Sequence, residues 1–191
     1  MPRDDLPVLA FSSPQDWEDW LADQPGSAPG LWMKIAKPGA PEPTVSYPRA
    51  LESALCHGWI DGQKGKLDEH YWLQRFTPRK PGSKWSKINR EKAERLITEG
   101  RMRPAGHREV EAARADGRWE RAYEGQATAT VPPDLAAELD RNPVAKEFFG
   151  TLTGANRYAI LFRIADAKRP QTRADRIAKF VAMLNEHQTL H

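Results

Sequence analysis

Three side chains in the front half of the sequence are the candidates for chemistry: His57, Asp61 and Arg75. They stand where aromatic residues interleave with fixed polar groups. The stretch reads His57-Gly58-Trp59-Ile60-Asp61-Gly62, then Trp72-Leu73-Gln74-Arg75-Phe76-Thr77-Pro78-Arg79-Lys80, then Lys84-Trp85-Ser86-Lys87-Ile88-Asn89. Histidine titrates near neutral pH and can move a proton. Arginine forks bind carboxylates and phosphates through paired N–H groups. Tryptophan faces stack flat ligands and cover cations. No catalytic residue is defined at this level. His57, Asp61 and Arg75 are the candidates, and Trp59, Asp61, Arg75, Thr77, Arg79, Lys80, Trp85 and Asn89 form the candidate ligand-binding set. Adjacent strands would bring Asp61 near Arg75 or Arg79. Each residue also has a plainer role open to it. Asp61 with Arg75 would make a structural ion pair, the tryptophans a core, the lysines a solvated face. His57, at a helix C-terminus, would meet the helix dipole.

Several chemistries have no motif here. There is no phosphate-binding glycine loop, no dinucleotide fingerprint and no Gly-x-Ser-x-Gly elbow. The histidines, His57, His70, His107, His187 and His191, are scattered, so no metal is expected and no cofactor is implied. Cys56 is the single cysteine, which excludes an internal disulfide and a multi-cysteine zinc site. Its Ala-rich apolar surroundings suit a small buried hydrophobe.

Elements that could hold the candidates follow from local signals. Ser13-Pro14-Gln15-Asp16 is a capping box that starts a helix carrying Trp17, Trp20 and Leu21. Residues 30–36 alternate as a strand. Pro48 to His57 reads as a helix with Ala50, Leu51, Ala54 and Leu55 on its apolar face, stopped by Gly58. Trp59 to Gly62 and Tyr71 to Thr77 read as a long hairpin around the polar link 63–70. Helices are expected from Ser86 to Glu99, from Pro104 to Ala115, from Asp134 as a cap, over 143–149, over 156–167, and from a capping box at Thr172-Arg173-Ala174-Asp175. The fold class is therefore α+β, a small antiparallel sheet of about three strands surrounded by helices, with an all-helical C-terminal part. Residues 1–124 form the mixed part, 125–133 a linker-like loop, and 134–191 the helical part, packed on the first as one domain.

Composition bounds the partners. The chain has 191 residues, 39% of them apolar and 29% charged, and no apolar run approaches the ~18 residues that span a bilayer. The opening Met1-Pro2-Arg3-Asp4-Asp5 has no apolar core, unlike a signal peptide, so a cytoplasmic location is expected. The net charge is +3, but residues 64–103 alone hold 12 Lys and Arg against 5 Asp and Glu. Such segregation faces phosphates, carboxylates or an acidic surface.

The sequence resembles the YdeI/OmpD-associated family, also called bacteriocin-protection proteins. The resemblance rests on Ala54-Leu55-Cys56-His57-Gly58-Trp59-Ile60-Asp61-Gly62, Gln74-Arg75-Phe76-Thr77-Pro78-Arg79, Trp85-Ser86-Lys87, Gly100-Arg101-Met102 with Pro104-Ala105-Gly106, and Asp116-Gly117-Arg118-Trp119 with Tyr123. Asn156 to Ile164, Ala167-Lys168-Arg169-Pro170, Thr172-Arg173 and Arg176-Ile177 extend it to nearly the whole chain. It implies a stress or peptide-resistance role but no reaction and no catalytic set. His57 departs from it, since Phe or Tyr is more usual there, which makes any role of His57 particular to this chain.

Three functions are compatible with these features. The first is a pocket for a small anionic or aromatic molecule, supporting cofactor-free acid–base chemistry such as a cyclisation, isomerisation or hydrolysis. The second is a protein-interaction module using residues 134–187. The third is nucleic-acid binding through the basic segment, against which Glu91, Glu94 and Glu99 interrupt the basic helix.

Overall fold

A computed structural model of the chain describes residues 6–190. Met1–Asp5, read above as unlike a leader, and His191 lie outside them. The chain forms two compact units, Met1–Trp85 with Asn89–Arg121, and Ser86–Ile88 with Ala122–His191. Among the described residues no helix is long and apolar enough to cross a membrane.

The first unit begins with β1 (Val8–Leu9) and α1 (Pro14–Ala22), followed by β2 (Leu31–Ala36), α2 (Tyr47–Cys56), β3 (Trp59–Lys66) and β4 (Tyr71–Pro78). Then come α3 (Lys87–Thr98), whose first residues belong to the second unit, and α4 (Pro104–Ala115). The capping box is present: Asp16 N donates to Ser13 Oγ at 3.2 Å, and Ser13 N donates to Asp16 Oδ2 at 3.0 Å. It starts α1 so that Trp17 and Leu21, one turn apart, point inward together. Trp17 is completely buried, and its Nε1 donates to Ala50 O of α2 at 3.0 Å. Its ring lies 5.6 Å from that of Phe76 on β4 and 4.9 Å from that of Phe11.

The sheet has four strands in the order β1-β2-β4-β3, and it is mixed rather than wholly antiparallel. The extra strand, β1, pairs parallel with β2 through Val8 and Leu9. Two residues are too few to display an alternation, so this strand exists only because β2 offers it an edge. β3 lies at the opposite edge and carries a bulge between Asp61 and Lys64. Gln74, fully buried on β4, donates from Nε2 to Gly62 O at 2.9 Å and to Gln63 O at 3.3 Å. One side chain thus satisfies carbonyls that the bulge removes from the ladder. The exposed Lys64 and Lys66 charge this edge against pairing with another strand.

α4 approaches α2 closely. A Cβ at Gly106 would fall 2.8 Å from Leu55 O and closer still to Cys56 O and Met102 Sδ. Two of these atoms are backbone and cannot rotate away. Gly106→Ala is therefore expected to destabilise the protein by about 1–3 kcal/mol despite alanine's better helix propensity. A urea titration showing equal or greater stability would contradict this packing.

In the second unit, α5 (Pro133–Asp140), α6 (Pro143–Thr151), α7 (Gly154–Ala165) and α8 (Pro170–Asn185) surround a core that includes Leu135, Phe149, Ile160, Ile164, Phe180 and Leu184. Ser86 bridges Tyr123, and Lys87 Nζ lies 2.7 Å from Glu124 Oε1, which ties 86–88 to this unit. Two expected caps are displaced. Asp134 lies inside the first turn of α5, where Arg173 Nη2 donates to its Oδ1 at 2.8 Å. Thr172 lies inside α8, which starts after Arg169 because Pro170 takes the first helical position.

Candidate functional site

At one end of the sheet, in the first unit, a cleft of about 570 Å³ opens among α1, the end of α2 and the start of α4. Its floor is formed by chain segments that cross there. Gly58, at φ +76°, ends α2 and turns the chain into β3. Arg79 N donates to Gly58 O at 2.9 Å, and Arg103 N donates to Cys56 O at 3.1 Å. A Cβ at Gly58 would lie 3.0 Å from Ala105 O, so a larger residue would press on the cleft's rim. Trp59, buried, presents an edge-on ring to Trp17 at 6.2 Å and to Trp20 at 5.6 Å, and lines the floor.

The structure brings together His57, Trp59 and Arg79 of the expected set and separates the others. All three line the cleft. Arg79 is buried, its guanidinium carbon 3.5 Å from the centroid of the Trp85 ring, with Nη1 donating to Lys84 O at 3.2 Å. Trp85 is thus the platform that holds Arg79, and its other neighbour is Trp119 at 4.8 Å. Lys80 is exposed in a turn, where its N donates to Ser83 Oγ at 3.0 Å. Asn89 is buried on α3.

Asp61 and Arg75 do not meet. Asp61 is opposite Phe76 in the register, so it shares the sheet face that packs on α1 and α2. Arg75 and Thr77 alternate with Phe76 and project from the other face. Asp61 instead accepts from Tyr47 Oη of α2 at 2.7 Å. Burial and that bond to Asp61 push the Tyr47 phenol above its ordinary value. Lys64 Nζ lies 5.0 Å from the Trp72 ring centroid and 5.5 Å from that of Tyr47. Cys56 is buried, which pushes its thiol up to about 11, and it is no nucleophile at neutral pH.

Charged residues absent from the expected set complete the cleft: Glu18 and Asp19 from α1, Arg103, Arg108 and Glu109 from α4 and its cap. Ser53, buried on α2, orients two cleft groups at once. Its Oγ donates to Glu18 Oε1 at 2.7 Å, and its carbonyl lies 2.9 Å from His57 Nδ1. A carbonyl only accepts, so Nδ1 carries the proton and Nε2 is the basic nitrogen of neutral His57. One sequence signal pointed here. α4 begins Arg103-Pro104, with a basic residue at the N-cap where Ser, Thr, Asp or Asn is usual.

Residues 9–109, more than half of the chain, match the family model described as "Domain of unknown function (DUF8412)". Residues 128–187 match the one described as "Bacteriocin-protection, YdeI or OmpD-Associated". The chain is a DUF8412 family member. No curated protein and no solved structure matches it. The motifs around Trp59 and Arg75, which the sequence resemblance counted with the YdeI/OmpD-associated family, fall inside the DUF8412 match. All the residues lining the cleft fall there too.

Proposed function

We propose that this cytoplasmic DUF8412 member binds a small molecule with a flat apolar group and an anionic group in the cleft over Trp59. The observation that carries the reading is convergence. A buried tryptophan, a buried and stacked arginine, and a histidine of defined tautomer line one concave site with Arg103 and Arg108. His57 Nε2 can take a proton from a bound ligand, which supports cofactor-free acid–base chemistry of the cyclisation, isomerisation or hydrolysis type. The name of the family matched by residues 128–187 supports a place in a stress or peptide-resistance response.

The other readings have less support. In the basic segment, Arg95 pairs with Glu52 and Glu99, Arg101 with Glu52 and Glu99, Arg90 with Glu94, and Lys87 with Glu124. Cations already paired contribute less to counterion release at a phosphate backbone. In the helical tail, Arg173 pairs with Asp134, and Arg157 lies over Phe149 at 4.5 Å.

The test is a thermal-shift titration with benzoate and inorganic phosphate on the wild type and on the double variant Arg103→Gln/Arg108→Gln. Both side chains are exposed, so the variant should unfold at the wild-type temperature without ligand. Benzoate should raise the wild-type midpoint more than phosphate does, and the double variant should lose most of that rise. An unchanged response in the variant, or none in the wild type, would reject the reading.

A further inference from the structure

We propose that the ligand of the cleft is a zwitterion, of the chemical class of an aromatic α-amino acid. The inference rests on the cleft being a binding site and adds the ligand's charge pattern. The lining holds three carboxylates, Glu18, Asp19 and Glu109, against three guanidiniums, Arg79, Arg103 and Arg108. A simple anion entering this cleft gains at the arginines but gives back part of that gain to the repulsion of the carboxylates. A dipolar ligand gains at both.

The charges are also arranged by element. α1 brings Glu18 and Asp19 and no cation to the cleft, whereas both exposed arginines, with Glu109, come from α4 and its cap. Their polar partners on the protein are neutral. Glu18 accepts from the Ser53 hydroxyl at 2.7 Å, and Asp19 accepts from the Gln15 amide at 2.7 Å. Among the described residues, no ion pair joins these carboxylates to Arg103 or Arg108. Acids and bases that share a cleft without neutralising one another are available to opposite ends of one ligand. An ammonium would sit against Glu18 and Asp19, a carboxylate against Arg103 and Arg108, and the flat side chain over Trp59. The volume, about 570 Å³, suits a molecule of this size.

Isothermal titration of the wild type with L-tryptophan, indole-3-propionate and tryptamine separates the possibilities. The second lacks the ammonium and the third lacks the carboxylate. Tryptophan should bind roughly tenfold more tightly than either, the difference expected for one added charged hydrogen-bonding group. In Glu18→Gln/Asp19→Asn, tryptophan should fall to the level of indole-3-propionate, and indole-3-propionate should bind as well as before or better. If indole-3-propionate matches tryptophan in the wild type, the zwitterion proposal is wrong while the cleft remains an anion-binding site. If none of the three binds, the cleft reading itself fails and this proposal falls with it.

Discussion

Trp17→Ala is expected to lower the unfolding free energy by about 3–5 kcal/mol, read from a urea titration. Trp17 has no exposed surface, and its ring touches those of Phe11, Trp20, Trp59 and Phe76. Truncation leaves a cavity bounded by α1, α2 and the sheet, and rigid aromatic neighbours refill such a space poorly. It also removes the bond to Ala50 O that joins α1 to α2. Trp17→Phe keeps most of the packing, loses the N–H, and should cost about 1–2 kcal/mol. Because Trp59 leans on Trp17, the alanine variant should also weaken benzoate binding. A loss under about 1 kcal/mol for alanine would mean that Trp17 is not the centre of this core.

The second large effect concerns Glu52. It is buried on α2 and takes hydrogen bonds from Arg95 of α3 and from Arg101, the latter at 3.1 Å. Burial alone pushes its carboxyl up, and the hydrogen bonds from Arg95 and Arg101 outweigh that, leaving it below the ordinary 4.5. The folded state therefore holds the charged form more tightly than the unfolded state does. The resulting stability is fully present above the ordinary value and is lost as pH falls through the lowered folded value. Glu52→Gln is expected to cost about 1–3 kcal/mol at neutral pH, less than a fully buried pair because the arginines are partly exposed. The wild-type and variant stabilities should converge in acid, where both side chains are neutral. Urea titrations at neutral and acidic pH check this, and a gap that stays constant across pH would overturn it.

Only part of the cleft's lining was marked in the sequence. Trp59, Arg79 and His57 were marked by residue type within an interleaved stretch, and all three line the cleft. Asp61 and Arg75 were marked by the same argument, yet the register opposite Phe76 puts them on different faces. The alternation along β4 was visible in the sequence. Which residue of β3 stands opposite Phe76 was not, because the bulge at Asp61–Lys64 shifts the pairing and is held by Gln74, a tertiary contact. Glu18, Asp19 and Arg108 carried no mark, because a charge facing a cleft and a charge facing water have the same local pattern.

The α+β class and the positions of α1, α2, the hairpin strands and α4 were determined by the sequence itself. Their signals are short-ranged: the capping box at Ser13, the glycine at 58, the alternation over 71–76, and Pro104 at the first turn of a helix. The tertiary structure alone decided the rest. It recruited Val8–Leu9 as a fourth strand and set α1 across from α4 so that acids and arginines share one cleft. Such outcomes depend on contacts between residues distant in sequence, such as Trp17 with Ala50 or Gly106 with Leu55, and no window of neighbouring residues contains them.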